Sequence, residues 1–243
     1  MPDSRPVALV TGSTSGIGEA VARRFAAGGF GVVLNSARSV DAGKTLSASL
    51  PHSMYRQADI ADHDQVRDLV DETIATFGRL DVLVNNAGRT RPIPHGDLDS
   101  VTQEDWQRIL GLNVVGTWNL SVAAMPALRR SAGGAIVNIS SIAGSRPAGS
   151  SIPYAVSKAA VEHMTRLLAA VVGPEVRVNA VAPGLIDTPW TAGFTEIKER
   201  VATTTALRRV GLPGDVADAV FALSRAEYTT GTVLYVDGGA HLA

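Results

Sequence analysis

Short apolar runs alternate along the chain with longer segments in which apolar residues recur every three or four positions. The runs read VALVT, GVVLN, SMYRQAD, DVLVN, AIVNIS, VRVNAVA and TVLYVD. Runs of this length, rich in β-branched residues, predict strands, and the segments between them predict amphipathic helices. Because strands that alternate with helices form βαβ units, the pattern predicts a parallel sheet.

The predicted sheet has helices on both faces. The runs at 7–10, 82–84 and 136–139 lack polar alternation, as strands covered on both sides do. Asp62 is a suitable N-cap for one helix, and Pro153 suits the first turn of another, where its missing N–H is not needed. The predicted helices span 16–28, 39–49, 63–77, 101–129, 153–172 and 213–224.

No repeat, low-complexity tract or linker divides the chain. We therefore predict an α/β fold with one domain over 1–243, a Rossmann-like doubly wound sandwich with a mainly seven-stranded parallel sheet. The longest connection, 185–210, joins the sixth and seventh strands. Apolar side chains on a long connection predict a lid over a pocket. Those side chains are Trp190, Phe194, Ile197 and Leu207.

Composition excludes several classes of function. The net charge is -1, so no broad basic field attracts nucleic acid or an anionic membrane surface. The chain has no cysteine, which removes thiol chemistry and fits a cytoplasmic protein, and its five histidines are scattered without ligand spacing, so we expect no metal. The N-terminus lacks a signal-peptide pattern, and no apolar run approaches the roughly 18 residues of a membrane span.

A glycine-rich turn joins the first predicted strand to the first helix, in TGSTSGIG. Glycines at 12, 16 and 18 permit a tight turn and let a phosphate approach the backbone at the helix N-terminus. A second motif, NNAG at 85–88, follows the fourth strand directly, at the sheet edge where ligands of open α/β sheets bind. The two motifs favour a dinucleotide site, and purely structural turns are the alternative.

Tyr154 and Lys158 lie four residues apart in YAVSK, on one face of a predicted helix. A free phenol has a pKa of about 10, and a neighbouring ammonium group favours the phenolate. The pair therefore predicts a general acid/base, with the lysine lowering the pKa of the tyrosine. A solvated Tyr and Lys on a helix surface are the alternative.

The motifs TGSTSGIG, NNAG, Asn113, Ser141, YAVSK, PGLIDTP and TGTVLYVDGG together resemble those of the short-chain dehydrogenase/reductase family, over nearly the whole chain. The resemblance implies an NAD(P)-dependent enzyme that interconverts ketones and secondary alcohols. It also implies a homotetramer or homodimer formed through the helices around 101–129 and 153–172.

The resemblance further implies a set of cofactor contacts. The glycine-rich turn would lie under the diphosphate, and other motifs would flank the adenine, the ribose and the nicotinamide, where Ile186 would hydrogen-bond the carboxamide. The implied residues are Thr11, Gly12, Thr14, Ser15, Gly16, Ile17, Gly18, Asp59, Ile60, Asn86, Ala87, Gly88, Pro183, Gly184, Ile186 and Thr188, with Tyr154 and Lys158 from the reaction centre.

The choice between NADP and NAD depends on the end of the second strand. An acidic residue there selects NAD, but this chain has Ser36, with Arg38 close enough to meet a 2'-phosphate. We therefore expect NADP(H) to be preferred, with NAD(H) possible. Against this preference, Thr14 and Ser15 occupy the turn where many NADP-using relatives carry a basic residue, and Arg38 can also be read as a solvated helix-start residue.

The resemblance assigns the reaction to four residues. Ser141 would hydrogen-bond the substrate oxygen, Tyr154 would exchange the proton, and Lys158 would also hold the ribose hydroxyls. Asn113 would position a water linking the lysine to solvent; a mid-helix Asn bonded to backbone is its alternative.

The substrate is a small carbonyl or alcohol compound whose identity the sequence leaves open. We expect it to be surrounded by Ser141, Ile142, Tyr154, Trp190 and Phe194. Arg91, His95 and Arg146 are candidates to meet a carboxylate, although positions on an exposed loop explain each of them better. Two other functions stay open. One is a 3-oxoacyl carrier-protein reductase whose acidic carrier meets Arg129, Arg130 or Arg166, and the other is a non-catalytic dinucleotide-sensing regulator.

Overall fold

The computed structural model describes residues 5–242 and contains one parallel sheet. Its strands are β1 Val7–Val10, β2 Gly31–Ser36, β3 Ser53–Gln57, β4 Val82–Asn85, β5 Gly134–Ile139, β6 Val176–Pro183 and β7 Val233–Val236. Their order across the sheet is β3-β2-β1-β4-β5-β6-β7, and every neighbouring pair is parallel. The predicted doubly wound, seven-stranded fold is therefore confirmed.

Helices cover both faces of this sheet. They are α1 Gly16–Ala27, α2 Val40–Ser49, α3 His63–Phe77, α4 Gln103–Leu110, α5 Thr117–Arg130, α6 Ile152–Val172, α7 Thr195–Thr204 and α8 Pro213–Arg225. The ends of the predicted helices agree with the observed ones to within two residues. Two features were not predicted: a π-helical turn, Gly111–Gly116, between α4 and α5, and the whole of α7.

Side chains that alternate along the strands fill two cores, one on each face of the sheet. Leu9 belongs to the core beneath α3, α5 and α6, whereas the adjacent Val10 belongs to the core beneath α1 and α8. All residues of β1, β4 and β5 are buried, which confirms that these strands are covered on both sides.

Helix-start chemistry places α3 and α6 as predicted. The Asp62 side chain accepts hydrogen bonds from the backbone N–H groups of Asp64 and Gln65, at 3.0 and 3.1 Å. Pro153 lies in the first turn of α6, after Ser151, whose side chain caps the helix by accepting from the Tyr154 N–H. These caps fix where α6 begins, and therefore where the side chains of its first turns point.

The continuous helical segment Gln103–Arg130 is long and apolar enough to pass a membrane-span test based on length and composition. In this fold its apolar side chains have another explanation. Leu120 and Leu128 are buried in the core against β4 and β5, and the segment also packs on α3 and α6. The apolar side chains of this segment therefore pack against the sheet and the neighbouring helices.

The topology fixes where a ligand binds. Strand order reverses between β1 and β4, because the chain runs outward from β1 through β2 to β3 and then returns to β4. In open α/β sheets the crevice outside the carboxyl ends of such neighbouring strands is the binding site.

Candidate active site

A cavity of about 650 Å³ opens at the carboxyl ends of the central strands. It contains most of the residues predicted to touch the cofactor. Those that line it are Gly12, Thr14, Ser15, Gly16, Ile17, Gly18, Ser36, Arg38, Asp59, Ile60, Asn86, Ala87, Gly88, Tyr154, Lys158, Pro183, Gly184, Ile186 and Thr188. Ser141 and Trp190 line the same cavity, so the predicted cofactor and reaction residues share one space.

The glycine-rich turn has the shape of a phosphate cradle. Gly12 and Gly16 have φ angles of +59° and +56°, which side chains disfavour. A Cβ added to Gly18 would lie 2.2 Å from the Gly12 carbonyl oxygen, so the turn closes only around a residue without a side chain. No side chain caps the start of α1, and its first N–H groups are free for an anion. These residues fit a dinucleotide diphosphate.

Thr11 and Asn86 join the two sides of the crevice. The Asn86 amide donates to the carbonyl oxygens of Thr11 and Gly12 at 2.8 and 3.0 Å, and the Thr11 hydroxyl accepts from the N–H groups of Asn86 and Ala87. Thr11 is fully buried and does not line the cavity. The Thr11 side chain therefore braces the NNAG turn, and its expected contact with the diphosphate stays a prediction.

The end of β2 carries no acidic side chain toward the cavity. The Ser36 hydroxyl lies 2.9 Å from that of Tyr55, and both Ser36 and Arg38 line the cavity. Arg38 is exposed and has no ion pair within the described residues 5–242. Its guanidinium is free to meet an anionic group of a ligand.

Ser141, Tyr154 and Lys158 come together at the other end of the cavity. Ser141 follows β5 and begins a 3-10 turn, Ile142–Gly144, by accepting from the Ala143 N–H. The Ser141 side chain also interacts with the phenol of Tyr154, which lowers the pKa of that phenol. The Lys158 Nζ lies 5.6 Å from the centre of the Tyr154 ring and donates to the Ile139 carbonyl at 2.8 Å.

The electrostatics of this group differ from the expectation. Burial raises the pKa of the Tyr154 phenol to about 12, and the hydrogen bond from Ser141 offsets only part of this. Burial also lowers the pKa of Lys158 to about 8. Tyr154 is only half-buried as a residue, but protein atoms crowd its phenol. The expected lowering of the tyrosine pKa by the lysine is therefore not seen, because burial of the phenol is the largest effect on its pKa.

Asn113 lies behind this group and does not line the cavity. It sits in the π-helical turn, whose altered spacing lets its amide face the chain after NNAG. Its oxygen accepts from the Arg89 N–H at 2.8 Å, and its nitrogen donates to the Arg89 carbonyl and to the Ser157 hydroxyl. Ser157 in turn donates to the Tyr154 carbonyl at 2.7 Å. All three polar contacts of the Asn113 amide are therefore with protein groups. This arrangement resembles the alternative interpretation, an Asn bonded to backbone, with Ser157 as an additional partner.

The substrate side is only partly as predicted. The Trp190 ring lies 6.4 Å from that of Tyr154 and forms a wall of the cavity, whereas Ile142 and Phe194 do not line it. Arg91 is paired with Asp105 at 2.6 Å. Arg146 donates to the Ala240 carbonyl. His95 lies outside the cavity lining.

Several cavity and support residues were missed. Arg89 and Arg108 line the cavity, and Arg89 directly follows NNAG, which was an available signal. Ser157 and Glu162 are buried on the inner side of α6, close to Tyr154 and Lys158 in sequence. Ser157 lies inside YAVSK, but its partner Asn113 and the Glu162 partner Ser140 lie on other elements, so the local sequence does not show these contacts.

Comparison with known proteins agrees with this geometry. Residues 12–241 match a family described as "Enoyl-(Acyl carrier protein) reductase". A ketoacyl reductase assigned to the granaticin polyketide synthase of Streptomyces violaceoruber is 63% identical over 240 residues, which cover 98% of this chain and 96% of the relative.

Solved structures of this family also superpose closely on the chain. A chain described as a short-chain dehydrogenase/reductase from Burkholderia xenovorans superposes with a TM-score of 0.93 at 35% identity, covering 99% of this chain and 100% of the other. ElxO with NADP bound superposes with a TM-score of 0.90 at 30% identity, covering 98% of this chain and 100% of the other. The chain is therefore an oxidoreductase that belongs to the short-chain dehydrogenase/reductase family.

Proposed function

We propose that this enzyme reversibly reduces a ketone to a secondary alcohol with NADP(H), and that Tyr154 exchanges the proton. The observation that carries the proposal is the grouping of Ser141, Tyr154 and Lys158 at one end of the cavity, with the Lys158 Nζ 5.6 Å from the centre of the Tyr154 ring. A non-catalytic sensor would need the cavity but has no use for this group.

The residues of the chain supply orientation and a proton. The Ser141 hydroxyl holds the substrate oxygen next to the phenol. When bound, the reduced nicotinamide supplies the hydride that the carbonyl carbon accepts. As negative charge grows on the substrate oxygen, the Tyr154 O–H donates its proton to that oxygen. A phenol kept neutral by burial is in the correct state for this direction of the reaction.

Lys158 then stabilises the phenolate that is left after proton donation. Its Nζ lies 5.6 Å from the centre of the ring, so the ammonium group attracts the negative charge that develops on the phenol. Asn113 and Lys158 both approach Gly88: a Cβ added there would lie 3.5 Å from the Asn113 oxygen and 3.7 Å from the Lys158 Nζ. From this position Lys158 would hold the ribose hydroxyls of the nicotinamide nucleotide.

The preference for NADP(H) is supported by Ser36 and Arg38. The absence of an acidic side chain at the end of β2 removes the group that repels a 2'-phosphate, and Arg38 offers a guanidinium without a partner in the described chain.

The segment 185–210 is proposed to be a lid over the substrate. It contains a 3-10 turn, Pro189–Thr191, which carries Trp190, and the helix α7. No residue of α7 is buried, so little apolar contact holds this helix to the body. Trp190, which is 47% exposed, would be covered by the substrate.

An absorbance assay of reduced-nicotinamide consumption tests the proposal. Linear, cyclic and aromatic ketones would each be offered with NADPH and with NADH. We expect oxidation of NADPH with at least one ketone, at a higher kcat/KM than with NADH. Cofactor binding without turnover of any ketone or secondary alcohol would instead favour the sensor.

A carrier-bound 3-oxoacyl thioester is a second candidate substrate, favoured by the 63% identical ketoacyl reductase. Arg129 and Arg130 are exposed at the end of α5, where an acidic carrier would bind, whereas Arg166 faces Glu162 at 3.9 Å. Replacing Arg129 and Arg130 with Glu should raise KM for a carrier-bound substrate and leave KM for a small thioester analogue unchanged. Equal effects on both substrates would exclude carrier docking at these arginines.

A further inference from the structure

Glu162 is a carboxyl group buried on the catalytic helix, one turn beyond Lys158. It is 4% exposed, and its Oε1 accepts a hydrogen bond from the hydroxyl of Ser140 at 3.0 Å. Ser140 is itself 3% exposed and immediately precedes Ser141. A buried carboxyl group connects α6 to the residue before the proposed substrate-orienting serine.

The same contact region fixes the turn that carries Ser141. The Ser140 N–H donates to the Val181 carbonyl at 2.7 Å, and its hydroxyl also approaches the Lys158 carbonyl at 3.3 Å. On the other side of Ser141, a Cβ added to Gly144 would lie 2.7 Å from the Glu162 Oε1. Glu162 thus contacts the chain both before and after Ser141.

Burial of this carboxyl group is unfavourable to the stability of the fold, and packing alone does not explain why a carboxyl group occupies this position. Desolvation raises the pKa of Glu162, and the nearest cation, Arg166, is exposed and lies 3.9 Å away. An apolar side chain of similar volume would be the more stabilising residue at a core position. Positions that keep a less stabilising residue in the core are commonly functional.

We infer that Glu162 and Ser140 form a positioning pair, which holds the Ser141 hydroxyl in place on the cavity wall that it shares with Tyr154. Without the pair, this turn would lose the contacts that the Ser140 hydroxyl makes with the Glu162 carboxyl group and the Lys158 carbonyl of α6. A displacement of about 1 Å at a group that orients the substrate can lower kcat by about 100-fold. The inference rests on the proposed function, because it assigns the pair a role only through Ser141.

The experiment compares Glu162→Leu, Glu162→Gln and Ser140→Ala in the full-length enzyme, with the ketone that the wild type reduces fastest. We measure kcat, KM and, separately, the Kd for NADPH by its fluorescence on binding. Glu162→Leu and Ser140→Ala should lower kcat at least tenfold and change the Kd for NADPH less than threefold. Glu162→Gln keeps an oxygen acceptor for Ser140 and should recover kcat to within about threefold of the wild type.

Two controls keep the outcomes distinct. His163→Ala changes the exposed neighbour of Glu162 and should keep wild-type kinetics, and thermal unfolding shows whether each variant is folded. If Glu162→Leu is unfolded, Ser140→Ala carries the test, since it deletes only a hydroxyl. Wild-type kcat in Ser140→Ala, or equal losses in Glu162→Gln and Glu162→Leu, would overturn the inference. Ser141→Ala with wild-type kcat would instead overturn the proposed function.

Discussion

The hydroxyl of Tyr154 is the atom on which the proposed chemistry depends. Tyr154→Phe removes the proton donor and leaves the ring in place, so kcat should fall by about 10² to 10⁴. The Kd for NADPH should stay nearly unchanged. Tyr228→Phe is a matched control, since Tyr228 is fully exposed and far from the cavity lining. Steady-state kinetics and cofactor titration check both variants, and near wild-type turnover in Tyr154→Phe would remove this residue from the reaction.

Lys158 makes the cofactor-free protein less stable at neutral pH. Its pKa falls from 10.5 to about 8, so the folded state binds the proton more weakly than the unfolded state. The cost, about 3 kcal/mol, is complete below pH 8 and disappears as pH rises from 8 to 10.5. Lys158→Met should therefore raise the free energy of unfolding at pH 7 by about 1 to 3 kcal/mol, because the lost bond to Ile139 offsets part of the gain.

Denaturant unfolding of the cofactor-free protein at pH 7 and pH 10 measures this difference. The gain from Lys158→Met should shrink at pH 10, while the exposed Lys44→Met should have no effect at either pH. A gain that does not depend on pH would show that Lys158 is not the titrating group. The same Lys158→Met variant should bind NADPH more weakly.

Arg38 should set the cofactor preference. Arg38→Ser removes the free guanidinium, so KM for NADPH should rise by about 10- to 100-fold, as expected for one charged hydrogen bond. KM for NADH should change little. Kinetics with the two cofactors measure this, and an equal rise for both would assign Arg38 to a group that they share.

At this scale the sequence predicted which residues meet, but not their electrostatics. The spacing of Tyr154 and Lys158 and the position of Ser141 were enough to place them together. The direction of the tyrosine pKa was wrong because burial of the phenol depends on residues distant in sequence. Glu162 was missed for a similar reason, since its partner Ser140 is on another element.

At the scale of elements, the first turn of α1 tolerates no side chain at Gly18. In Gly18→Ala the new Cβ would meet the Gly12 carbonyl and the Asn86 amide at 2.2 and 2.4 Å. Either the cradle opens or the NNAG turn moves, so NADPH binding should be lost. Gly214→Ala at the start of α8 meets nothing within 4 Å and is the matched control. Fluorescence titration measures both, and unchanged binding in Gly18→Ala would exclude this turn from the cofactor site.

Sequence patterns placed most elements but missed two. The interval 101–129 was predicted as one uninterrupted helix because apolar spacing does not distinguish a π-helical turn from an α-helical one. The segment Thr195–Thr204 is mostly polar and buries no residue, and its one apolar pair at helical spacing, Ile197 and Val201, is too short a pattern to reveal α7. The π-helical turn borders the cavity, since Gly111 and Leu112 line it.

At the scale of the whole molecule, two outer helix faces are apolar. Val115, Trp118 and Val122 are about half exposed on the π-helical turn and α5, and Leu167 and Val171 are exposed on α6. We expect these faces to pair between copies in the predicted homotetramer or homodimer. Trp118→Glu should lower the oligomeric mass measured by light scattering after gel filtration, whereas Tyr228→Glu, at an isolated exposed site, should not. An unchanged mass for Trp118→Glu would place the subunit contacts elsewhere.

The strand order also dictates when the enzyme can first work during its synthesis. The cradle comes from β1, α1 and β4, and the proton donor from α6, which is followed by β6 at the next position in the sheet. A nascent chain released up to β4 already has the phosphate-binding half, but no acid. Turnover should therefore begin only after the ribosome has delivered the second half of the protein.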